Sequence, residues 1–388
     1  MNVSLFISRR LKFKGGIVMT CIAVSYFVMI IAVAVSSGFR TEIRRGISEL
    51  SGDIQLTPPD LNVLDSSHPL EWNAPYLPYI RNVDGVQDVV PVIYRAGIVR
   101  QDGNIHGVLF KGIETAQDSI PLAISIPERL SQISGLKEGD RMTVYFIGEK
   151  VSVRQFNISL VYDSIVETDD RLVVYADIDD LRRLDGWTEN QVSSIEVILD
   201  KKHKSERDIS ELTQEIGAFV NAYSYDSESP VVAVSSVSKY PQLFDWLDLI
   251  DFNVLFIIIL MTIVAGFNMI SGLLIMLFEN TSTIGLLKSM GMTDRGISNI
   301  FLSSAAVLVL KGMFVGNALA FLFCLIQDRL HILRLDPENY FVSFVPVDLS
   351  VLGVVCADII SFVIIMLLLL IPALFISRVD PAQTVRVK

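Results

Sequence analysis

Four stretches of this chain, roughly residues 17–37, 251–278, 297–325 and 349–376, are apolar for longer than one face of a soluble helix requires. The hydrocarbon layer of a bilayer takes about 20 consecutive apolar residues in helical form, and each stretch meets that length. They account for a mean hydropathy of +0.49 and a 51% hydrophobic composition over 388 residues. The first follows a basic start and contains Ala32-Val-Ala34, which imitates a cleavable signal peptide. Its apolar core exceeds the roughly 7–15 residues of a signal's core, so it reads as a retained span.

Charge is distributed as unevenly as hydropathy. Residues 39–248 hold 20 Lys/Arg against 34 Asp/Glu, a net of −14, and the remainder carries +3, giving −11 for the chain. One acidic block therefore sits between the first span and the other three. Acidic surface repels phosphate, which excludes nucleic acid as a partner. The three cysteines, Cys21, Cys324 and Cys356, all fall inside spans, so the acidic block has no disulfide framework and no thiolate metal site. His68, His106, His203 and His331 are scattered, and no metal site is expected. There is no Gly-x-x-x-x-Gly-Lys-Ser/Thr and no Gly-x-Ser-x-Gly. The chain is expected to be no enzyme and to hold no cofactor; any ATP would be bound by a separate subunit.

Orientation follows from basic residues near the spans. Arg9, Arg10, Lys12, Lys14, Lys288, Arg295, Arg378, Arg386 and Lys388 lie on one set of segments; Arg40, Arg44, Arg45, Arg329 and Arg334 lie on the other. The bias puts both termini and the loop after the second span inside. The three arginines following the first span run against it, interleaved with Glu42 and Glu49.

The fold class is thus a membrane protein with four transmembrane helices and a large extracytoplasmic α+β domain inserted between helices 1 and 2. The segments are an amphipathic surface segment (1–14), the first span (15–38), the domain (39–248), the second span (249–278), a cytoplasmic coupling segment (279–296), the third span (297–326), an outer loop (327–348), the fourth span (349–376) and a cytoplasmic tail (377–388). Within the domain, strands are predicted at 53–57, 86–92, 94–100, 105–111, 142–147, 156–162, 171–175 and 192–199. Helices are predicted at 127–133, 178–184 and 205–220, and the first span is expected to continue as a helix to about residue 50, where Gly52 stops it.

Three features carry the functional expectation. In the coupling segment, a helical wheel puts Ile284, Leu286, Leu287 and Met290 on one side and Gly285, Lys288 and Ser289 on the other. This is a short amphipathic helix between two spans, which either docks a partner or lies in the headgroups. In the third span, Gly312, Gly316 and Ala320 recur at four-residue spacing, a small-residue face that lets helix backbones approach. The same span carries Lys311 near its middle, where a charge costs about 3 to over 10 kcal/mol unless paired or hydrated. Asp358 is the one acid well inside another span, at a similar depth, and is its candidate partner; a snorkelling lysine is the alternative.

Taken together, Phe267-Asn-Met-Ile-Ser-Gly-Leu-Leu-Ile-Met-Leu277, then Glu279, then Ile284-Gly-Leu-Leu-Lys-Ser-Met-Gly291, resemble the FtsX/MacB superfamily of ABC-transporter permeases, and within it the lipoprotein-releasing permeases of the LolC/LolE type. Gly38-Phe-Arg-Thr-Glu-Ile-Arg-Arg-Gly-Ile47, Gly135-Leu-Lys-Glu-Gly-Asp140, Tyr340-Phe-Val-Ser-Phe-Val-Pro-Val-Asp348 and Ser377-Arg-Val-Asp-Pro-Ala-Gln-Thr-Val-Arg386 resemble the same family. Asn280-Thr-Ser-Thr283 departs from it, standing where relatives carry more charge. The resemblance implies two subdomains outside, in the manner of MacB. It also implies a bacterial inner-membrane location with the large domain in the periplasm, and a coupling helix (Glu279, Ile284, Gly285, Leu287, Lys288, Met290, Gly291) that docks on a cytoplasmic ABC ATPase dimer. Further implied partners are a second permease copy or sister permease, a lipoprotein substrate and a periplasmic carrier. Efflux, control of cell-wall hydrolases, and a membrane-anchored binding or sensor protein are the alternative functions.

Overall fold

The structure, a computed structural model, describes residues 16–59, 69–101, 104–114, 121–147, 151–164, 172–224, 230–336 and 340–373. The surface segment expected at 1–14 and the C-terminal motif at 377–386 lie outside the described residues. In chain order the helices are α1 (Gly16–Ser51), α2 (Leu77–Ile80), α3 (Glu128–Ser134), α4 (Ile178–Asp185), α5 (Glu206–Tyr223), α6 (Ser236–Lys239), α7 (Pro241–Glu279), α8 (Thr281–Ser289), α9 (Asp294–Leu330), α10 (Val351–Leu368) and α11 (Leu370–Ala373). The strands are β1 (Ile54–Thr57), β2 (Leu70–Glu71), β3 (Val86–Gln101), β4 (Asn104–Ile113), β5 (Ala123–Pro127), β6 (Arg141–Phe146), β7 (Ser152–Tyr162), β8 (Leu172–Asp177), β9 (Gln191–Val192), β10 (Ser194–Leu199) and β11 (Val232–Ser235). The chain divides into two units. Residues 1–41, 246–334 and 344–388 form one, and residues 42–245 and 335–343 form the other.

The first unit is helical. Among the described residues, four helices are long and apolar enough to cross a membrane: α1, α7, α9 and the segment Val351–Ala373. Their shared core contains Ile22, Tyr26, Met269, Leu273, Phe301, Val309 and Ile365. Most of their remaining apolar side chains are exposed, as in Phe267, Phe314 and Val351. Such a surface suits lipid or other spans and would be intolerable in water. At one end of the bundle Arg40 pairs with Asp248 at 2.9 Å and with Asp251, which also accepts from Ser36. Phe39 meets Trp246 edge-on, with ring centroids 5.5 Å apart.

The second unit is built on β3. Its first half pairs with β10, in a sheet of order β11-β1-β10-β3. Its second half pairs with β4 and β6, and β3-β4-β8-β5-β7-β6 closes on itself through β6–β3. The closed part is filled by Phe110, Phe146 and Phe156, with centroids 5.1 Å apart for two of the three pairs. The open part is covered by α5, whose Ile209, Leu212, Ile216 and Val220 are buried at helical spacing. Two sub-architectures thus share one long strand. The expected break at residue 93 is absent: Ile93 is buried, both faces of the strand are covered there, and the pairing partner changes from β10 to β4 without interrupting it.

Polar contacts hold the end of α1 in this unit. Gly52 takes a left-handed conformation (φ +69°) that stops the helix, and an added Cβ would meet the Glu196 side chain at 2.9 Å. The helix's last carbonyls are capped by a buried lysine: Lys111 Nζ donates to Glu49 O at 2.7 Å and to Leu50 O at 3.2 Å. Tyr94 donates to Leu50 O and to Glu196, and both Glu196 oxygens lie 2.9 Å from Lys111 Nζ. Arg44 pairs with Glu206 at 2.7 Å and Arg45 with Glu49 at 3.1 Å. With Arg40, every arginine that ran against the orientation bias therefore has a carboxylate partner.

Candidate functional site

The segment between the second and third spans forms the short helix expected of it. Residues 281–289 are helical, and Gly291 (φ +86°) turns the chain toward α9, whose first turn is capped by Thr293 accepting from Gly296 N. Its faces differ from the wheel. Ile284 is fully buried in the helical core together with Gly285, and Leu287 packs against the same core. Lys288 is also mostly covered and pairs with Asp294 at 3.0 Å across the turn. The outward apolar groups are Leu286 and Met290, one helical turn apart and 60% and 77% exposed, with Phe278 just before the helix at 77%. Glu279 is exposed beside them. The expectation that Ile284 and Leu287 anchor a partner is therefore corrected: the bundle uses them itself. Lys288 is likewise committed to Asp294.

The small-residue face packs against the first span. A Cβ added at Gly312 would sit 2.7 Å from Ile22 Cγ2, and one at Gly316 would sit 2.5 Å from Ala23 O and 2.8 Å from Tyr26 Cβ. Ala320 continues that face and is fully buried. Gly316→Leu is expected to destabilise the bundle by about 1–3 kcal/mol through overpacking. Leu322→Met, on the exposed side of α9, serves as the neutral control. Thermal unfolding in mild detergent should show a lower midpoint for the first and an unchanged one for the second.

The two intramembrane charges are not brought together. Asp358 accepts from Asn317 Nδ2 at 2.6 Å, linking α10 to α9. Ser361, one turn on, donates to the Tyr26 hydroxyl at 3.0 Å and so ties α10 to α1. Lys311 is exposed and makes no hydrogen bond or ion pair with any described residue. The reason is angular: six helical residues separate Lys311 from Asn317, which at about 100° each puts them on different faces. Sequence reasoning missed Asn317 as the acid's partner. The available signal was a carboxamide in the third span at a depth matching Asp358. Among the described residues, no group of three His, Cys, Asp or Glu side chains is placed to hold a metal ion.

Residues 255–381 match the family described as FtsX-like permease C-terminal. That stretch is similar to the C-terminal domain of FtsX-like permeases. The matched range takes in most of α7 and all of α8, α9, α10 and α11, so it contains the short helix and the small-residue face. Over 94% of its length the chain is 22% identical to the lipoprotein-releasing system transmembrane protein LolC of Neisseria meningitidis, covering 92% of that protein. It is 20% identical to the LolC of Xylella fastidiosa over the same shares. Among solved structures it is similar to the periplasmic region of MacB from Actinobacillus actinomycetemcomitans, at 14% identity and a TM-score of 0.31, covering 51% of this chain and 94% of that one. It is also similar to the extracellular domain of the ABC-type transporter YknZ from Gram-positive bacteria, at 14% identity and a TM-score of 0.30, covering 47% and 99%.

Proposed function

We propose that the chain is the permease subunit of an ABC transporter that works by mechanotransmission, and that its cargo is lipoprotein leaving the inner membrane for the outer one. The observation that carries this reading is the likeness, over 94% of the chain, to proteins named for lipoprotein release. The exposed Leu286 and Met290 on α8 support the first half of it, since a helix that shows apolar side chains between two spans suits a groove in a partner. The partner is a cytoplasmic ATPase dimer. Its closure pushes on the 279–296 segments, and the spans carry that motion to the periplasmic domains, which hand the lipoprotein to a soluble carrier.

Purified complex in proteoliposomes loaded with labelled lipoprotein should release it only with ATP and an acceptor. ATP-dependent loss of a small amphiphile instead would support efflux. An isolated chain that recovers no ATP-binding partner from its native membrane would point to a binding or sensor protein.

Orientation has its own test. In a background lacking Cys21, Cys324 and Cys356, Lys202→Cys should react with an impermeant thiol reagent once the outer membrane is permeabilised, and Ser289→Cys should not. Both positions are exposed in their own units. The reverse pattern would invert the topology.

A further inference from the structure

Counted along α9 alone, Lys311 sits about halfway between Asp294 and Leu330. The contact with α1 gives it a different depth. A Cβ added at Gly312 would lie 3.2 Å from Met19 O, and one at Gly316 would lie 2.5 Å from Ala23 O, so the two helices run parallel and in step. Lys311 is thus level with Met19, roughly 5 Å along the axis from Gly16, the first described residue of α1. Lys12 and Lys14 stand just before that residue in the sequence. In the other direction Ser36 is roughly 26 Å from Met19, and the polar Gln327 is roughly 24 Å from Lys311. Both helices therefore place Lys311 near one edge of a hydrocarbon layer about 30 Å thick, not at its centre. A helical side chain leans toward the N-terminus of its helix, which for α9 is the direction of that edge. A lysine stem of about 6 Å covers the distance left.

On the reading of these helices as membrane spans, we infer that the groove at Lys311 binds an anionic phospholipid, its phosphate on the ammonium and an acyl chain along the groove. The groove is open, about 380 Å³ in volume, and Lys311 is the one charged group among its walls of Met19, Val307, Leu310, Phe314 and Val315. Phe314 and Val315 follow Lys311 along α9, on the bilayer-centre side, where an acyl chain runs. Val307, Leu310 and Phe314 are each at least 44% exposed and so are free to meet it. No described carboxylate pairs with Lys311, and Asp358 is already engaged by Asn317. Charge complementarity selects a lipid of net negative charge, because a zwitterionic headgroup brings its own cation to the phosphate. Arg9, Arg10, Lys12 and Lys14 precede α1 on the side to which the α9 N-terminus is assigned, and basic segments at a membrane surface gather anionic lipid.

The test uses the full chain in symmetric vesicles of phosphatidylcholine and phosphatidylglycerol, extracted in mild detergent, with the lipids retained per chain counted by native mass spectrometry. Wild type and Lys311→Arg should retain phosphatidylglycerol in preference to phosphatidylcholine. Lys311→Met should retain roughly fivefold less of it, the effect of about one basic residue at a membrane surface, and Lys311→Glu should show no preference. Excess inorganic phosphate should leave the bound lipid in place. Melting midpoints in lipid-free detergent should match between wild type and Lys311→Met, so that a lost lipid is not a lost fold. The inference is overturned if the two lipids are retained in their bulk ratio by wild type, if Lys311→Met retains phosphatidylglycerol in full, if free phosphate displaces it, or if what Lys311→Met loses is a co-purifying protein. Symmetric vesicles make the result independent of orientation. The measurement involves no nucleotide and no ATPase, so its failure leaves the permease reading standing.

Discussion

Lys111→Met is expected to destabilise the acidic domain by about 3–5 kcal/mol, the cost of leaving a buried charge without its counter-ion. The side chains of Lys111 and Glu196 are 4% and 3% exposed, so water cannot replace the lost partner. The substitution also uncaps Glu49 O and leaves Leu50 O only the Tyr94 hydroxyl. Burial pushes the Glu196 carboxyl above its ordinary value, and Lys111 is the main group pulling it back. A carboxyl raised in the folded state favours folding below its unfolded value and loses that contribution as pH rises through the folded one. Without Lys111 the folded value climbs further, so the penalty should be larger at pH 8 than at pH 5. Urea unfolding of the full chain in detergent, at both pH values, measures this. Adding Glu196→Leu to Lys111→Met should recover most of the loss, because a pair replaced by apolar groups is often nearly neutral. An equal penalty in single and double variants would show that the lysine acts only as a helix cap.

On the proposed docking of α8, Leu286→Asp is expected to weaken association with the proposed ATPase partner at least a hundredfold while leaving the bundle folded. An exposed leucine that becomes buried on docking contributes about 1.5–3 kcal/mol, and a carboxylate in its place adds a desolvation cost. Leu286 is 60% exposed, so the unbound chain has little to lose at that position. Ile284→Asp provides the contrast. It puts a charge into the helical core and should lower the thermal midpoint directly, with docking lost as a consequence. Binding isotherms and melting curves for the two variants separate the roles. If Leu286→Asp binds the ATPase as tightly as wild type, the short helix is a headgroup-lying connector.

The spans, the acidic insert and the short helix were legible because each rests on a one-dimensional signal: run length, charge sum or periodicity. The inward and outward faces of α8 were not. A wheel gathers Ile284, Leu286, Leu287 and Met290 into one wide apolar arc but does not say which edge of that arc meets the protein. Ile284 and Leu286 are chemically alike, and only the packing of α8 on the helical core distinguishes them. The pairing of Lys311 with Asp358 failed for a related reason. Depth can be counted along a helix, but azimuth depends on which neighbour the small residues choose, and Gly312 and Gly316 choose α1. In the acidic domain, β5 and β11 escaped notice because both are short, and β11 is an edge strand that exposes Val232.

The place of β1 has a consequence for how the chain is made. It is among the first segments of the domain to be synthesised, yet its neighbours are β10 and β11, with Ile54 opposite Val197 and Ser235. Its two edges are not both covered until β11 has been synthesised, near the end of the insert. Pairings so distant in sequence close slowly, and an unpaired strand edge invites aggregation while it waits. The domain cannot mature from its N-terminus outward as it is synthesised; its open sheet is completed only when the segment leading into α7 arrives.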